Sequence, residues 1–325
     1  MNYIIQDYGK TVTPKLHINA LQGHQYIPQA DQCIKNIVQK FCTNKPFPSR
    51  EYILDVGCGP GRITSDLGLP HCHRIGLDIS QDFINYAWTS FLNRNKGTDP
   101  CVSFQQMNFA EEADIMLASG KIIKDFDIIL MQGVMHHVHG DDRAKFLQRS
   151  FELLKPDGIL IIGDEFIKDY ETEDERILNV AKFYLHIIDE ARKGGFIELA
   201  EEEAKNLVDD CFSGTKYAGC ATQKTFEHIY EYARMINQMF CEYGGIGGLN
   251  FEANNQIRNM FDYIKRSVEG ILDAQAENFN RGDLKVSTRV FTEELTNYGF
   301  VLEEKYEIGP VKQLGGMGVL MFMKR

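Results

Sequence analysis

Residues Tyr52-Ile-Leu-Asp-Val-Gly-Cys-Gly-Pro-Gly61 decide the fold of this chain. An apolar run with the length of a buried strand leads directly into three glycines at alternate positions, and residues 62–67 then have the pattern of a short helix. Glycines at such a junction allow a tight bend and bring a ligand close to bare backbone. The stretch predicts a ligand-binding turn in an α/β sheet, with an ordinary strand-to-helix turn as the alternative.

The spacing of residues around this turn limits the class of ligand that it can bind. A dinucleotide fingerprint counted from Gly57 requires its third glycine at position 62, which is Arg62. Asp78 ends a second predicted strand, where an acid can accept both hydroxyls of an adenosine ribose, although a helix-capping role is the alternative. Asp55, at the end of the first strand, is expected to hold the loop amides and to face a cation. The pattern favours an adenosyl ligand with a positive sulfonium over a dinucleotide.

Short β-rich runs alternate with helical patterns from residue 52 onward, which indicates a parallel sheet covered by helices. We predict an α/β fold: a doubly wound, mostly parallel seven-stranded sheet with an antiparallel C-terminal hairpin that turns around Gly315 and Gly316, plus a mainly α-helical insert subdomain. The predicted strands are 52–56, 74–77, 102–107, 126–131, 158–163, 300–308 and 319–324. The predicted helices are 31–41, which precedes the sheet, and 80–94, 141–154 and 292–298, which cover it.

The chain divides into three parts by pattern. Residues 1–50 are predicted to form an N-terminal helical cover segment, and residues 51–164 and 289–325 the ligand-binding Rossmann-like core. Residues 165–288 carry helical periodicity with almost no strand signal, and they hold 23 acids against 14 bases. We predict that they form an α-helical lid with helices at 173–193, 197–210, 222–243 and 251–280.

Composition excludes several classes of protein. The chain has 325 residues, with 46 acids against 35 bases, and its formal charge of -11 makes nucleic acid an unfavourable partner. There is no apolar run long enough to span a membrane and no signal-peptide pattern, so a cytoplasmic location is expected. The eight cysteines form no Cys-x-x-Cys pair, which predicts reduced thiols and no metal site. A homodimer is compatible with the sequence.

Taken together, these motifs resemble those of the class I S-adenosylmethionine-dependent methyltransferases. The resemblance covers residues 50–165 and 289–325 and leaves the N-terminus and the insert unmatched. It implies that S-adenosylmethionine is the cofactor, with S-adenosylhomocysteine as the product. The matching stretches are Leu54-Asp-Val-Gly-Cys-Gly-Pro-Gly61, Gly76-Leu-Asp-Ile-Ser80, Phe126-Asp-Ile-Ile129, Val134-Met-His-His-Val138, Leu153-Leu-Lys-Pro-Asp-Gly158 and Glu294-Leu295 through Gly299-Phe300.

The resemblance also implies roles for individual residues. Gly57 and Gly59 would approach the methionine part of the cofactor, Asp78 would bind the ribose and Ile79 would pack on the adenine. Two further pairs follow the third and fourth strands. Asn108 and Phe109 would lie at the adenine, which the Asn108 amide oxygen could meet, and Gln132 and Gly133 would lie beside the methionine moiety.

Candidates for a catalytic base follow the fourth and fifth strands, because open α/β sheets bind ligands at the carboxyl ends of their strands. His136, His137 and His139 come after the fourth strand and Glu165 after the fifth. A histidine could deprotonate an alcohol, and a carboxylate could hold an amine. Each also has a structural explanation, and adjacent histidines diverge too far to favour a metal site. By resemblance, Tyr3, Tyr8, His24 and Tyr26 could close over the cofactor.

Three functions remain open from sequence. The first is methylation of a small organic acceptor on oxygen or nitrogen, because the insert resembles the substrate lid of family members that act on small molecules. The second is methylation of a protein, with the acidic insert docking a basic partner. The third is a non-catalytic module that binds S-adenosylmethionine.

Overall fold

The computed structural model describes residues 14, 17–18, 26–43, 51–69, 71–95, 99–111, 113–138, 140–173, 175–176, 179–180, 183, 284–311 and 315–325. Within this part of the chain, five helices and nine strands are numbered in chain order. The helices are α1 (Ile27–Thr43), α2 (Arg62–Asp66), α3 (Gln81–Asn95), α4 (Gly140–Leu153) and α5 (Thr288–Asn297). The strands are β1 (Tyr52–Val56), β2 (His73–Asp78), β3 (Val102–Gln106), β4 (Ile115–Met116), β5 (Ile122–Ile123), β6 (Phe126–Gln132), β7 (Leu154–Ile167), β8 (Phe300–Val311) and β9 (Gly315–Lys324).

Seven strands form one sheet in the order β3-β2-β1-β6-β7-β9-β8. The first five strands of that order run parallel, while β9 pairs antiparallel with both β7 and β8. This arrangement confirms the predicted α/β fold with a mostly parallel seven-stranded sheet and an antiparallel C-terminal hairpin. Strand order reverses between β1 and β6, and such a reversal opens a crevice at the carboxyl ends of the strands, where ligands bind in this kind of sheet.

The central strands are buried on both faces, which explains why they read as continuous apolar runs rather than alternating ones. On one face, Leu54 and Ile129 join a cluster that includes Phe291 of α5. On the other face, Ile53 and Ile128 pack in a second cluster with α1. Helix α1 reaches that cluster through buried residues at helical spacing, namely Ala30, Ile34, Ile37 and Val38.

The structure differs from the sequence prediction at several element boundaries, and three differences affect the interpretation. Strand β7 begins four residues before the predicted start and continues to Ile167, so Glu165 lies inside a strand instead of opening a helical insert. Helix α5 begins at Thr288 because the Ser287 hydroxyl accepts a hydrogen bond from the amide of Val290. The predicted turn at Gly315 and Gly316 is wrong, since both residues pair in β9 with β7 and β8.

A short antiparallel hairpin of β4 and β5 was not predicted, because two-residue strands carry no readable periodicity. Near the start of the predicted insert, residues 173, 175, 176, 179, 180 and 183 are helical, in agreement with the predicted helix at 173–193. The other three predicted insert helices lie outside the described residues. A helix with the length and apolarity required to cross a membrane does not occur in the described part of the chain.

Candidate functional site

The turn after β1 is built by glycines in left-handed conformations. Gly57, Gly59 and Gly61 have φ values of 69°, 52° and 71°. A Cβ atom on Gly57 would lie 2.5 Å from Cγ2 of Val134, so only glycine fits against the segment that follows β6. A Cβ on Gly59 would instead meet only His17, at 3.8 Å. The first glycine is therefore required by packing, and the second leaves open space beside the backbone.

Asp78 at the end of β2 fixes this turn. Its Oδ2 accepts a hydrogen bond from the amide of Gly59 at 2.8 Å, and its Oδ1 accepts one from the amide of Ser80 at 2.9 Å. A carboxylate can accept about four hydrogen bonds, so Asp78 can bind ligand hydroxyls while it holds the loop. Ser80, not Asp78, caps α3, because the Ser80 hydroxyl accepts a hydrogen bond of 3.4 Å from the amide of Phe83.

Asp55 does not hold the loop amides as expected. It is buried beneath the turn, and its Oδ2 accepts a hydrogen bond of 2.5 Å from the hydroxyl of Thr64 on α2. Burial raises the pKa of Asp55 to about 7, against the lowering effect of the Thr64 hydrogen bonds. Asp78 of β2, and not Asp55 of β1, binds the loop amides, because the Asp78 side chain lies beside the turn on the neighbouring strand.

A cleft opens above this turn at the carboxyl ends of the strands. The volume enclosed within it is about 140 Å³, and the cleft opens to solvent at its mouth. All nine predicted cofactor-binding residues line it: Asp55, Gly57, Gly59, Asp78, Ile79, Asn108, Phe109, Gln132 and Gly133. The cleft therefore brings together residues from the ends of four strands.

Two of the lining residues have packing roles that the sequence did not predict. The Asn108 amide oxygen accepts a hydrogen bond of 3.0 Å from the amide of Ala110, so it already stabilises its own turn. The ring of Phe109 packs edge-to-face on Phe146 and lies under the guanidinium of Arg149, 5.0 Å from its carbon. Phe109 is thus mainly a core residue that forms the floor of the cleft.

The fourth strand contributes an amide and an open glycine. Oε1 of Gln132 has no hydrogen-bond partner among the described residues, and its Nε2 lies 3.9 Å from Sδ of Met317. Gly133 has a φ of 67°, and a Cβ atom there would have no neighbour within 4 Å. The amide and the vacant space beside Gly133 suit a polar ligand at this end of the cleft.

Of the predicted catalytic residues, His137 lines the cleft, whereas His136 and Glu165 do not. His136 bonds to Asp164 of β7, with 2.5 Å between Nδ1 and Oδ1, and its ring centroid lies 3.9 Å from that of His137. Burial alone would raise the pKa of Asp164, but the adjacent His136 holds it below its usual value. Glu165 bonds at 2.5 Å to Nζ of the fully buried Lys285.

These contacts pair Glu165 with Lys285 away from the cleft lining, so Glu165 is not placed to hold an acceptor amine as predicted, and they make His136 part of a buried pair. The third histidine, His139, lies outside the described residues. The same holds for Tyr3, Tyr8 and His24, whereas Tyr26 packs against Gly309 of β8, away from the cleft.

His17 and Arg62 also line the cleft, and sequence reasoning missed both in this role. His17 packs edge-to-face on Phe83 at 5.2 Å. Burial lowers the pKa of His17 to about 3, with smaller contributions from the charges of Arg62 and His137. The His17 ring is therefore neutral near pH 7. Arg62 forms an ion pair with Asp31 of α1. A lone histidine in an unpatterned segment gave no signal for this placement.

Residues 54–160, which include β1, β2, β3 and β6 and the turn between them, match the family model described as "Methyltransferase domain". These residues therefore form a methyltransferase domain, and the chain is an S-adenosylmethionine-dependent methyltransferase. Its cofactor is S-adenosylmethionine, and the open space at Gly59 and Gly133 together with the Asp78 carboxylate fits an adenosyl ligand.

Relatives of this methyltransferase include enzymes that act on proteins. It is 27% identical over 218 residues to the human "N-terminal Xaa-Pro-Lys N-methyltransferase 1", covering 65% of this chain and 91% of that one. It is 28% identical over 222 residues to the Xenopus laevis "N-terminal Xaa-Pro-Lys N-methyltransferase 1-A", covering 66% of this chain and 92% of that one. A solved magnesium protoporphyrin IX methyltransferase from Synechocystis PCC 6803 is 10% identical with a TM-score of 0.45, covering 91% and 83%. That last likeness carries no information about the acceptor.

Proposed function

We propose that this methyltransferase transfers a methyl group to an amine, and that the leading acceptor is the α-amino group at the N-terminus of a protein. The observation that carries the proposal is His137, a titratable side chain on the cleft wall next to the residues that would hold the cofactor. An amine is protonated near neutral pH, so it must lose a proton before its lone pair can attack. A histidine at the cleft supplies a proton acceptor in that pH range.

The chain's own residues divide the work of binding. Asp78 would accept the ribose hydroxyls, and Ile79 would cover the adenine, with Asn108 and Phe109 at its edge. The turn at Gly57 and Gly59 would lie against the methionine part. At the other end of the cleft, the unpartnered Oε1 of Gln132 can accept a hydrogen bond from the methionine ammonium, beside the open space at Gly133.

S-adenosylmethionine supplies a methyl group already activated as a sulfonium, so the remaining tasks are alignment, exclusion of water and proton removal. His137 would take the proton of the acceptor's ammonium group. The neighbouring His136 is held by Asp164, whose lowered pKa keeps that carboxylate ionised. Because the bond to Asp164 fixes the His136 ring and that ring lies 3.9 Å from the ring of His137, this geometry supports His137 as the base and His136 as a positioning residue.

The protein acceptor is supported by the relatives, which are named as N-methyltransferases of an N-terminal Xaa-Pro-Lys sequence and nine-tenths of whose length is covered by this chain. A second candidate, methylation of a small organic acceptor, has a separate observation in its favour. The same alignments cover only about two thirds of this chain. The remaining third has the size of a substrate-binding subdomain, which residues 165–288 would supply, and such an insert can change the acceptor without changing the cofactor site.

The experiment offers purified protein and S-adenosylmethionine three acceptor pools in parallel. These are a synthetic peptide that begins with a free Xaa-Pro-Lys N-terminus, the same peptide acetylated at its α-amino group, and a metabolite extract. Mass spectrometry measures the gain of a methyl group. Methylation of the free peptide but not the acetylated one supports the leading proposal, and methylation confined to the extract supports the second.

A variant tests the role of His137. His137→Gln should lower kcat by about 100-fold or more, the size of a general-base contribution, while cofactor affinity stays unchanged. The matched control is His71→Gln, at an exposed histidine before β2, at the opposite edge of the sheet. Full turnover by His137→Gln, or no turnover on any pool by protein that binds the cofactor, would refute the proposed chemistry.

A further inference from the structure

Three side chains with metal-binding atoms meet at the edge of the sheet opposite the cofactor cleft. Cys42 lies in the last turn of α1, Glu51 directly precedes β1 and Cys72 directly precedes β2. Their ligand atoms all lie within 4.8 Å of one another. The two Sγ atoms are 3.8 Å apart, and Sγ of Cys72 is 3.5 Å from Oε2 of Glu51.

These separations are those of ligands around one tetrahedral zinc ion. Zinc binds thiolate sulfur at about 2.3 Å and carboxylate oxygen at about 2.0–2.2 Å. Two sulfurs at tetrahedral positions are then about 3.8 Å apart, and a sulfur and an oxygen about 3.5 Å apart. The Cys42 and Cys72 sulfurs are too far apart for a disulfide, which requires about 2.05 Å, and neither cysteine is in a disulfide.

The burial and the donor types agree with a metal site. Glu51 is 4% exposed and Cys72 is 3% exposed, so two of the three donor groups lie in the protein interior. A divalent cation would stabilise the ionised forms of all three groups. Two soft thiolates with one hard carboxylate select zinc over magnesium or calcium, which take oxygen ligands alone.

We propose that Cys42, Glu51 and Cys72 bind Zn²⁺, with water at the fourth position. Each thiol releases its proton to solvent when the ion binds. The ion joins the carboxyl end of α1 to the amino ends of β1 and β2. The sequence predicted no metal because it lacks closely spaced cysteines, but Cys42 and Cys72 are thirty residues apart and the fold brings them together.

The test uses the full chain with zinc as the probe. Protein expressed with zinc is dialysed, and its metal content is measured by plasma mass spectrometry, with about one zinc ion per chain expected. Competition with a colorimetric chelator gives the affinity. Replacement by Co²⁺ should produce a thiolate-to-cobalt charge-transfer band in the near ultraviolet, which reports sulfur ligation directly.

Variants assign the ligands. Cys72→Ser and Glu51→Gln should each weaken zinc binding by about 100-fold or more, since loss of a mere outer-shell partner already costs about 10- to 100-fold. The matched control is Cys33→Ser, a half-buried cysteine of α1 two and a half turns from Cys42. Circular dichroism and cofactor binding show that each variant is folded, and Glu51→Gln decides the matter if the serine variant does not fold.

Several results would overturn the zinc proposal. These are folded protein without zinc or the cobalt band, affinity that falls equally in Cys33→Ser, and a Cys42–Cys72 disulfide in freshly purified zinc-free protein. None of them bears on methyl transfer, because the proposed zinc site and the cofactor cleft lie at opposite edges of the sheet.

Discussion

Replacement of Asp78 by alanine tests the central feature of the cofactor cleft. The carboxylate accepts two amide hydrogen bonds, from Gly59 at 2.8 Å and from Ser80 at 2.9 Å, and it lies where the ribose hydroxyls would bind. Hydrogen bonds to a charged group contribute about 1.5–3 kcal/mol. Loss of the ribose contacts alone should therefore weaken cofactor binding by about 10- to 150-fold.

The assay is isothermal titration with S-adenosylhomocysteine. Asp82→Ala is the matched control, because Asp82 is an exposed acid in the first turn of α3. Asp78→Asn separates the two functions of the side chain, since its amide can still accept one of the two backbone hydrogen bonds but carries no charge. We expect Asp78→Asn to bind with intermediate affinity. Unchanged affinity in Asp78→Ala, with normal folding by circular dichroism, would refute the ribose assignment.

Three further predictions concern the interior around the cleft. Because burial raises the pKa of Asp55 to about 7 from 3.8, its contribution is present at low pH and is lost as pH rises through about 7. In urea titrations, the free energy of unfolding of the wild type should fall relative to that of Asp55→Asn by up to about 4 kcal/mol between pH 4 and pH 8. A difference between the two proteins that stays constant with pH would contradict the assignment. Gly57→Ala should lower thermal stability by more than Gly120→Ala, since both have positive φ but only Gly57 lacks space for a Cβ atom. Lys285→Met should lower the free energy of unfolding in urea by up to about 3–5 kcal/mol, because it removes the buried cation that pairs with Glu165, and combining it with Glu165→Gln should recover much of that loss.

Local patterns were sufficient to predict the sheet. The strands β1, β2, β3 and β6 begin and end within one residue of their predicted bounds, because each is a short apolar run closed by polar or glycine residues. The nine cofactor-binding candidates were also found from sequence. They follow the carboxyl ends of strands, and in a parallel sheet those ends meet at one edge.

Tertiary contacts decided what individual side chains do. Asp55 and Asp78 both end strands, yet Asp78 binds the turn and Asp55 is buried against Thr64. The sequence gives no distinction between these two acids, because which one reaches the Gly59 amide depends on how β2 lies beside the turn. The same applies to two histidines that are adjacent in sequence. His136 bonds to Asp164, whereas His137 lines the cleft.

The sequence by itself therefore determined the positions of the individual strands, the glycine turn and the class of cofactor, because these follow from local periodicity and spacing along the chain. The contacts between residues distant in the chain were decided only by the tertiary structure. His17 reaches the cleft, Lys285 pairs with Glu165, and Cys42 meets Cys72. Such meetings depend on how whole elements pack, and no pattern within a short segment encodes that packing.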